Sequence, residues 1–198
     1  MRIIKRFDVN RYKTLSDSID KVFLSINFPW NLEKIIFSLS NKNDSNFNYP
    51  NAEIFLNPKI RKQEESVIKL IIFKEIFSLL IKIKNMESGI RFIDNIIANR
   101  EMIKNGFGDY YLNYAYVKLF RPIEIENFHT FLTLNLPWIS FSGLDNFNSV
   151  FLKDMVKKFK YPKTFETRSG RLFSTTEKDL TDKKNLRRAI NLYNEVVG

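Results

Sequence analysis

The sequence predicts an α+β fold in which a small β-sheet packs on a long buried helix, followed by a mostly helical C-terminal half. Three observations lead there. Two short stretches, LEKIIFSL at 32–39 and AEIFL at 52–56, are rich in Ile and Phe and end in turn formers, as strands do. The run VIKLIIFKEIFSLLIKIK at 67–84 is apolar almost all round a helix, which marks a buried element. Beyond it, apolar residues recur at helical spacing and are punctuated by Gly and Pro.

The elements follow in order. Residues 14–27, TLSDSIDKVFLSIN, read as a helix: Thr14 or Ser16 can cap it, and Leu15, Ile19, Val22, Phe23 and Ile26 share a face. Phe28-Pro29-Trp30 ends it. The strand at 32–39 leads into 41–51, NKNDSNFNYPN, a loop by its density of turn formers. The strand at 52–56 stops at Asn57-Pro58. The long helix spans about 64–84, with Glu64 and Glu65 in its first turn and Lys82 and Lys84 in its last, matching the helix dipole. A helix over 87–105 stops at Gly106. Further helices are predicted near 109–120, 124–135, 144–159 and 176–196. The segment 161–174, YPKTFETRSGRLFS, reads as a linker or exposed loop. A zone boundary near residue 122 divides an α+β core, 1–121, from a helical extension, 122–198, which can also be one continuous domain.

Composition sets limits. The 198 residues suffice for a real core. The formal charge of +10 favours contact with an acidic partner, whether RNA, DNA, anionic lipid or acidic protein, without choosing among them. The absence of cysteine removes disulfides, thiolate metal sites and cysteine nucleophiles, and agrees with a cytoplasmic location. MRIIKRFDVNRYK lacks the apolar centre of a signal peptide. The apolar run after Val67 is broken by Lys69, Lys74, Glu75 and Lys82, and falls short of the roughly 20 apolar residues of a membrane span.

The polar residues of that run are ordered. Lys74, Ser78 and Lys82 stand four apart and Glu75 lies beside them, so they form one stripe, either a solvated edge or the floor of a polar cleft. AEIFLNP, a spacer with acidic residues and then IIFKEIFSLL resemble the edge strand and active-site helix of the zincin metallopeptidases over about residues 32–110. In that family the helix carries His-Glu-x-x-His, two zinc-binding histidines around a general base. The resemblance places Lys74 at the first histidine, Glu75 at the base and Ser78 at the second histidine. It makes Asp94, or else Asn99, the counterpart of a third ligand on the next helix, and ANREMIKNGFG resembles the stretch after that ligand. A lysine ammonium donates hydrogen bonds and repels a metal, and serine is a poor zinc ligand. The expectation is a decayed site that holds no metal or other cofactor, with Lys74 paired to Glu75 or Asp94 in place of the cation.

Other chemistry is thinner. His129 is the single histidine, reads as an ordinary helix-surface or core-edge residue, and has no nucleophile elbow near it. Gly106-Phe107-Gly108 reads as a helix stop, not a phosphate loop. Glu124 and Glu126 read as surface acids. Trp30 and Trp138 each follow a proline and read as core or turn anchors. Lys153, Lys157, Lys158, Lys160, Lys163, Arg168 and Arg171 form a basic stretch interleaved with Phe159, Tyr161, Phe165 and Phe173; it is either a solvated face or a surface that neutralises phosphates and stacks unpaired bases. Arg2, Lys5, Arg6, Arg11 and Lys13 add a second cluster.

The leading expectation is therefore a non-catalytic binding or structural protein on a zincin-like core, acting through its helical half. The alternative is a basic nucleic-acid- or ribosome-associated protein without peptidase ancestry, and the third an atypical hydrolase.

Overall fold

The computed structural model describes residues 1–26 and 32–198. Its chain forms an α+β protein made of two compact units, Met1–Asn85 and Met86–Gly198. The first holds the sheet and the long helix; the second is helical.

In the first unit, strand β1 (Arg2–Arg6) is followed by helix α1 (Lys13–Ser25), strands β2 (Lys34–Leu39), β3 (Asp44–Asn48) and β4 (Asn51–Leu56), a 3-10 turn at Pro58–Lys62 and helix α2 (Glu65–Ile83). The sheet order is β1-β2-β4-β3. β1, β2 and β4 run parallel, with Ile3 opposite Ile35 and Phe37 opposite Ile54, while β3 returns antiparallel to β4 at the edge. Central placement explains the apolar run of β2, where Ile35, Ile36 and Phe37 are all buried. β4 alternates, hiding Ala52, Ile54 and Leu56.

α2 packs on β3, β4 and α1. It buries Ile68, Leu70, Ile72, Phe73, Ile76, Phe77, Leu79, Leu80 and Ile81. At about 2 kcal/mol for each such side chain taken out of water, this helix is the largest apolar contributor to its unit. Asn85 then turns the chain with φ +52°, a conformation asparagine tolerates.

Two elements here differ from expectation. The stretch 41–51 contains strand β3, although only Ser45 of that strand is buried. Its order comes from the ladder to β4 and from Lys82, whose ammonium bonds the Ser45 carbonyl and pairs with Asp44 at 3.7 Å. β1 has no expected counterpart, because half of its side chains face water and the alternation RIIKR is short. Asn27 to Asn31, and with them the Phe28-Pro29-Trp30 stop and Trp30, lie outside the described residues.

The second unit begins with α3 (Arg91–Met102), which runs through a π turn at Ile103–Phe107 into α4 (Gly108–Leu119). The expected stop at Gly106 is present: its φ is +85°. α5 (Phe128–Phe141), α6 (Asn146–Val156), α7 (Lys163–Thr176) and α8 (Lys183–Val197) follow. α3 and α4 pack with α5 and α6, within the unit that begins at Met86.

α7 is the main correction. The segment 161–174 is not an exposed linker: Phe165, Ser169, Leu172, Phe173 and Thr176 recur at helical spacing and line one face, with Ser169, Leu172 and Thr176 buried. Pro162 stands just before the first turn, where a missing N–H costs nothing. α5 also extends past its expected end, through Pro137, because Leu136, Trp138, Ile139 and Phe141 are buried beyond it. Among the described residues no helix is long and apolar enough to cross a membrane.

One ion cluster joins α1 to α2. Glu65 accepts from Lys21 at 2.8 Å and pairs with Lys69 at 2.9 Å. Hydrogen bonds from Lys21 and Lys69, with their charges, hold its carboxyl down at about 2, against an ordinary 4.5. A carboxyl whose pKa is depressed on folding stabilises above its unfolded value and loses that contribution as pH falls through its folded value. Acid unfolding of the native chain should therefore steepen between about pH 4.5 and 2. Glu65→Gln should flatten that part of a pH series followed by circular dichroism, and added salt should weaken the difference.

Candidate functional site

The polar stripe of α2 is divided by its surroundings. Lys69 serves the Glu65 cluster and Lys82 ties down the edge strand. Lys74, Glu75 and Ser78 are half-buried on the middle turns of the helix that follows β4. Asp94 and Asn99 belong to the second unit and are engaged within it. The Asp94 carboxylate accepts from the backbone N–H and hydroxyl of Ser88, both at 2.7 Å, and so ties down the turn that enters α3. Asn99 is fully buried, and its amide donates to the Ser140 hydroxyl at 3.2 Å, leaving Oδ1 without a partner among the described residues. Among the described residues no three His, Asp or Glu side chains gather as a metal-binding group.

His129 is exposed in the first turn of α5, and Glu124 and Glu126 are exposed ahead of that helix. Trp138 is buried, and its indole N–H donates to Asn135 Oδ1 at 2.6 Å.

The basic stretch has more structure than a solvated face requires. All seven of its cations are exposed, and they lie on α6, on α7 and on the segment between them. That segment is fixed to the residues before α5 by a β-bridge between Glu124 and Lys160, with the Ile125 N–H donating to the Lys160 carbonyl at 2.7 Å. Some cations are already partnered: Lys157 pairs with Asp154 at 2.8 Å, Arg171 with Glu195 at 3.4 Å, and Arg168 covers the Phe128 ring at 4.5 Å. The interleaved aromatics point inward. Phe131 stands 4.7 Å from Tyr161, 5.6 Å from Phe165 and 6.0 Å from Phe173, and Phe173 meets Trp138 edge-on at 5.7 Å.

These rings frame a cleft of about 250 Å³ between α5, α6 and α7. Phe131, Trp138, Tyr161 and Phe173 supply its apolar walls, and Lys153, Lys157, Glu166 and Glu177 its charges. The Lys153 ammonium sits over the Trp138 ring at 4.3 Å. The Tyr161 hydroxyl donates to Glu166 at 2.9 Å. Burial, then that bond and the nearby carboxylate charge, push the phenol up to about 12, so it stays a donor. Gly170 lies on the wall, in the middle of α7. A side chain there would meet nothing within 4 Å. Glycine inside a helix costs about 1 kcal/mol relative to alanine, and neither its backbone angles nor its neighbours require it at this position.

The cleft is braced by a residue that sequence reasoning passed over. Arg100, on α3, is buried, and its guanidinium donates to the carbonyls of Lys178 at 2.6 Å, Ile139 at 3.0 Å, Glu177 at 3.1 Å and Ser142 at 3.4 Å. Those carbonyls end α5 and α7, where helix dipoles favour a cation. Burial lowers the arginine to about 10, while Asp179 and Glu177 oppose the shift, so it remains charged at neutral pH. No local pattern marks it, because Arg100 stands between the polar Asn99 and Glu101 in ANREM and reads as one more helix-surface cation.

Arg100→Ala should destabilise the chain by about 2 kcal/mol, because the buried Ile139 carbonyl and three part-buried ones lose a charged donor at once. Arg100→Lys should recover only part of this, since one ammonium cannot span the fork. Urea unfolding of both variants measures the difference.

No protein-family model, no curated protein and no solved structure matches this chain, so the functional argument rests on the side chains themselves.

Proposed function

We propose that the protein is a non-catalytic binding protein, built on a zincin-like first unit whose metal site has decayed, and that it acts on an acidic partner through its helical second unit. The observation that carries the first part is the identity of the residues on the middle of α2. Lys74 and Ser78 stand four apart on a half-buried stretch of the helix that follows β4, with Glu75 beside them. That is the spacing of a two-histidine metal site, with an ammonium and a hydroxyl in place of imidazoles. A cation there opposes a dication, and without a bound ion the glutamate has no activated water to work on. The engagement of Asp94 with Ser88 supports the same reading, because that carboxylate already holds a turn together.

A basic nucleic-acid-binding protein of different ancestry is the second reading, and the distribution of charge favours it. Residues 153–171 hold seven cations against two carboxylates, Asp154 and Glu166, so a net +5 of the chain's +10 falls within this short span. All seven cations are exposed. The two readings share this surface, since a decayed enzyme can keep a basic face.

Metal analysis of purified protein should find no stoichiometric zinc; finding it would overturn the first reading. Lys74→His combined with Ser78→His should create zinc affinity measurable by calorimetry, and failure to bind counts against the ancestry. Filter binding to single-stranded RNA and DNA should weaken steeply with salt, and a flat response, or none, removes the nucleic-acid reading.

A further inference from the structure

We infer that the cleft between α5, α6 and α7 is a nucleotide site, taking one base between its aromatic walls with the attached phosphate held by Lys153. This rests on the acidic-partner reading above and names the ligand for it.

The cleft suits one ring system of a larger ligand. About 250 Å³ is below the roughly 300–1,000 Å³ typical of drug-sized sites, so one planar ring system fills it. The walls are ring faces and edges from Phe131, Trp138, Tyr161 and Phe173, and stacking on such rings tolerates any base. The charges lining the cleft balance, Lys153 and Lys157 against Glu166 and Glu177, with Lys157 paired to Asp154 and Glu166 engaged by Tyr161. The helices that form the cleft carry the basic stretch, which favours an anionic group beside Lys153. Lys153 rests over the Trp138 face at 4.3 Å. An anionic ligand would instead draw the Lys153 ammonium off the indole and onto a phosphate.

Gly170 supplies an independent observation. It is a mid-helix glycine with ordinary helical φ, and an added Cβ would meet no atom within 4 Å. Neither a turn nor a close approach within the fold accounts for it. It lies exposed on the cleft wall, where a long side chain has room to reach across the opening. Asn135, which also lines the cleft, accepts from the Trp138 indole and gives one of its two amide N–H groups to the Phe131 carbonyl, which fixes its orientation.

The test uses the full chain and Gly170→Met, which fills the cleft and leaves every charge in place. Anisotropy of a short labelled single strand, and calorimetry with AMP, inorganic polyphosphate and polyglutamate, provide the arms. Single strands should bind, and Gly170→Met should weaken them roughly tenfold, the worth of one stacked base, without lowering the thermal midpoint. Polyphosphate and polyglutamate, having no base, should bind both proteins alike. Gly170→Ala should be at least as heat-stable as the native chain and bind strands more weakly, which covers the case in which methionine disturbs the helix. AMP binding that Gly170→Met abolishes supports the site, and without strand binding it identifies a free nucleotide as the source. Equal binding of strands and of AMP to the native chain and both variants overturns the cleft while leaving the basic surface standing. Binding of the base-free polymers with none of strands or AMP does the same. Silence in every arm removes both the cleft and the acidic-partner reading.

Discussion

The second unit depends on one buried cation. The ends of α5 and α7 present carbonyls beyond the reach of a full helical ladder, and four of them converge on a single point, that of Ile139 buried and the others partly so. The Arg100 guanidinium fills that point, giving two of its nitrogens to four carbonyls. The arrangement is mutually required. Without the arginine, the buried Ile139 carbonyl keeps only a long bond from the Ser142 N–H and three part-buried acceptors lose a charged partner; without the carbonyls, a buried guanidinium has nothing to offset its lost hydration. Its Nε, buried and without a partner among the described residues, shows that the match is incomplete and that position outranks full satisfaction.

The first unit solves a comparable problem with lysines. α2 is too apolar to show which face is which by hydrophobicity alone, so its few charges set its orientation. Lys69 joins the Glu65 cluster that reaches α1, and Lys82 reaches the backbone of β3. A stripe that looks uniform in sequence is thus two fastenings with a polar patch between them. Only that patch, Lys74, Glu75 and Ser78, is left for the ancestry argument, and Lys82 drops out of it.

What could be read from the sequence follows how much of each element's stability is local. α1, α2, β2 and β4 announce themselves through the apolar pattern of their own residues, and the α+β class follows from them. β3 does not, because DSNFN is ordered by a ladder to β4 and by a lysine 37 residues on. α7 was legible in the spacing of Phe165, Leu172 and Phe173, but Pro162, Gly170 and the charges between them mask that pattern. The site divides the same way. The basic residues and their interleaved aromatics are visible in one dimension. That the aromatics turn inward and enclose a cleft depends on Phe131 and Trp138 from α5, which no local pattern joins to residues 153–173.

The clamp and the cleft are one construction. Arg100 fixes the C-terminal ends of α5 and α7, and the cleft lies between those helices, with Glu177 belonging to both: its carbonyl faces Arg100 and the residue lines the cavity. The spacing of the walls is therefore set by a buried hydrogen-bond cluster and not by a guest. A cavity held open in this way asks little ordering of the protein when a ligand enters, so a small contact area can yield useful affinity. The same geometry explains why an exposed lysine of α6, Lys153, rests over Trp138. The ring quadrupole attracts the ammonium while the lysine head keeps its contact with water, so the indole face at the cleft is covered without burying a charge.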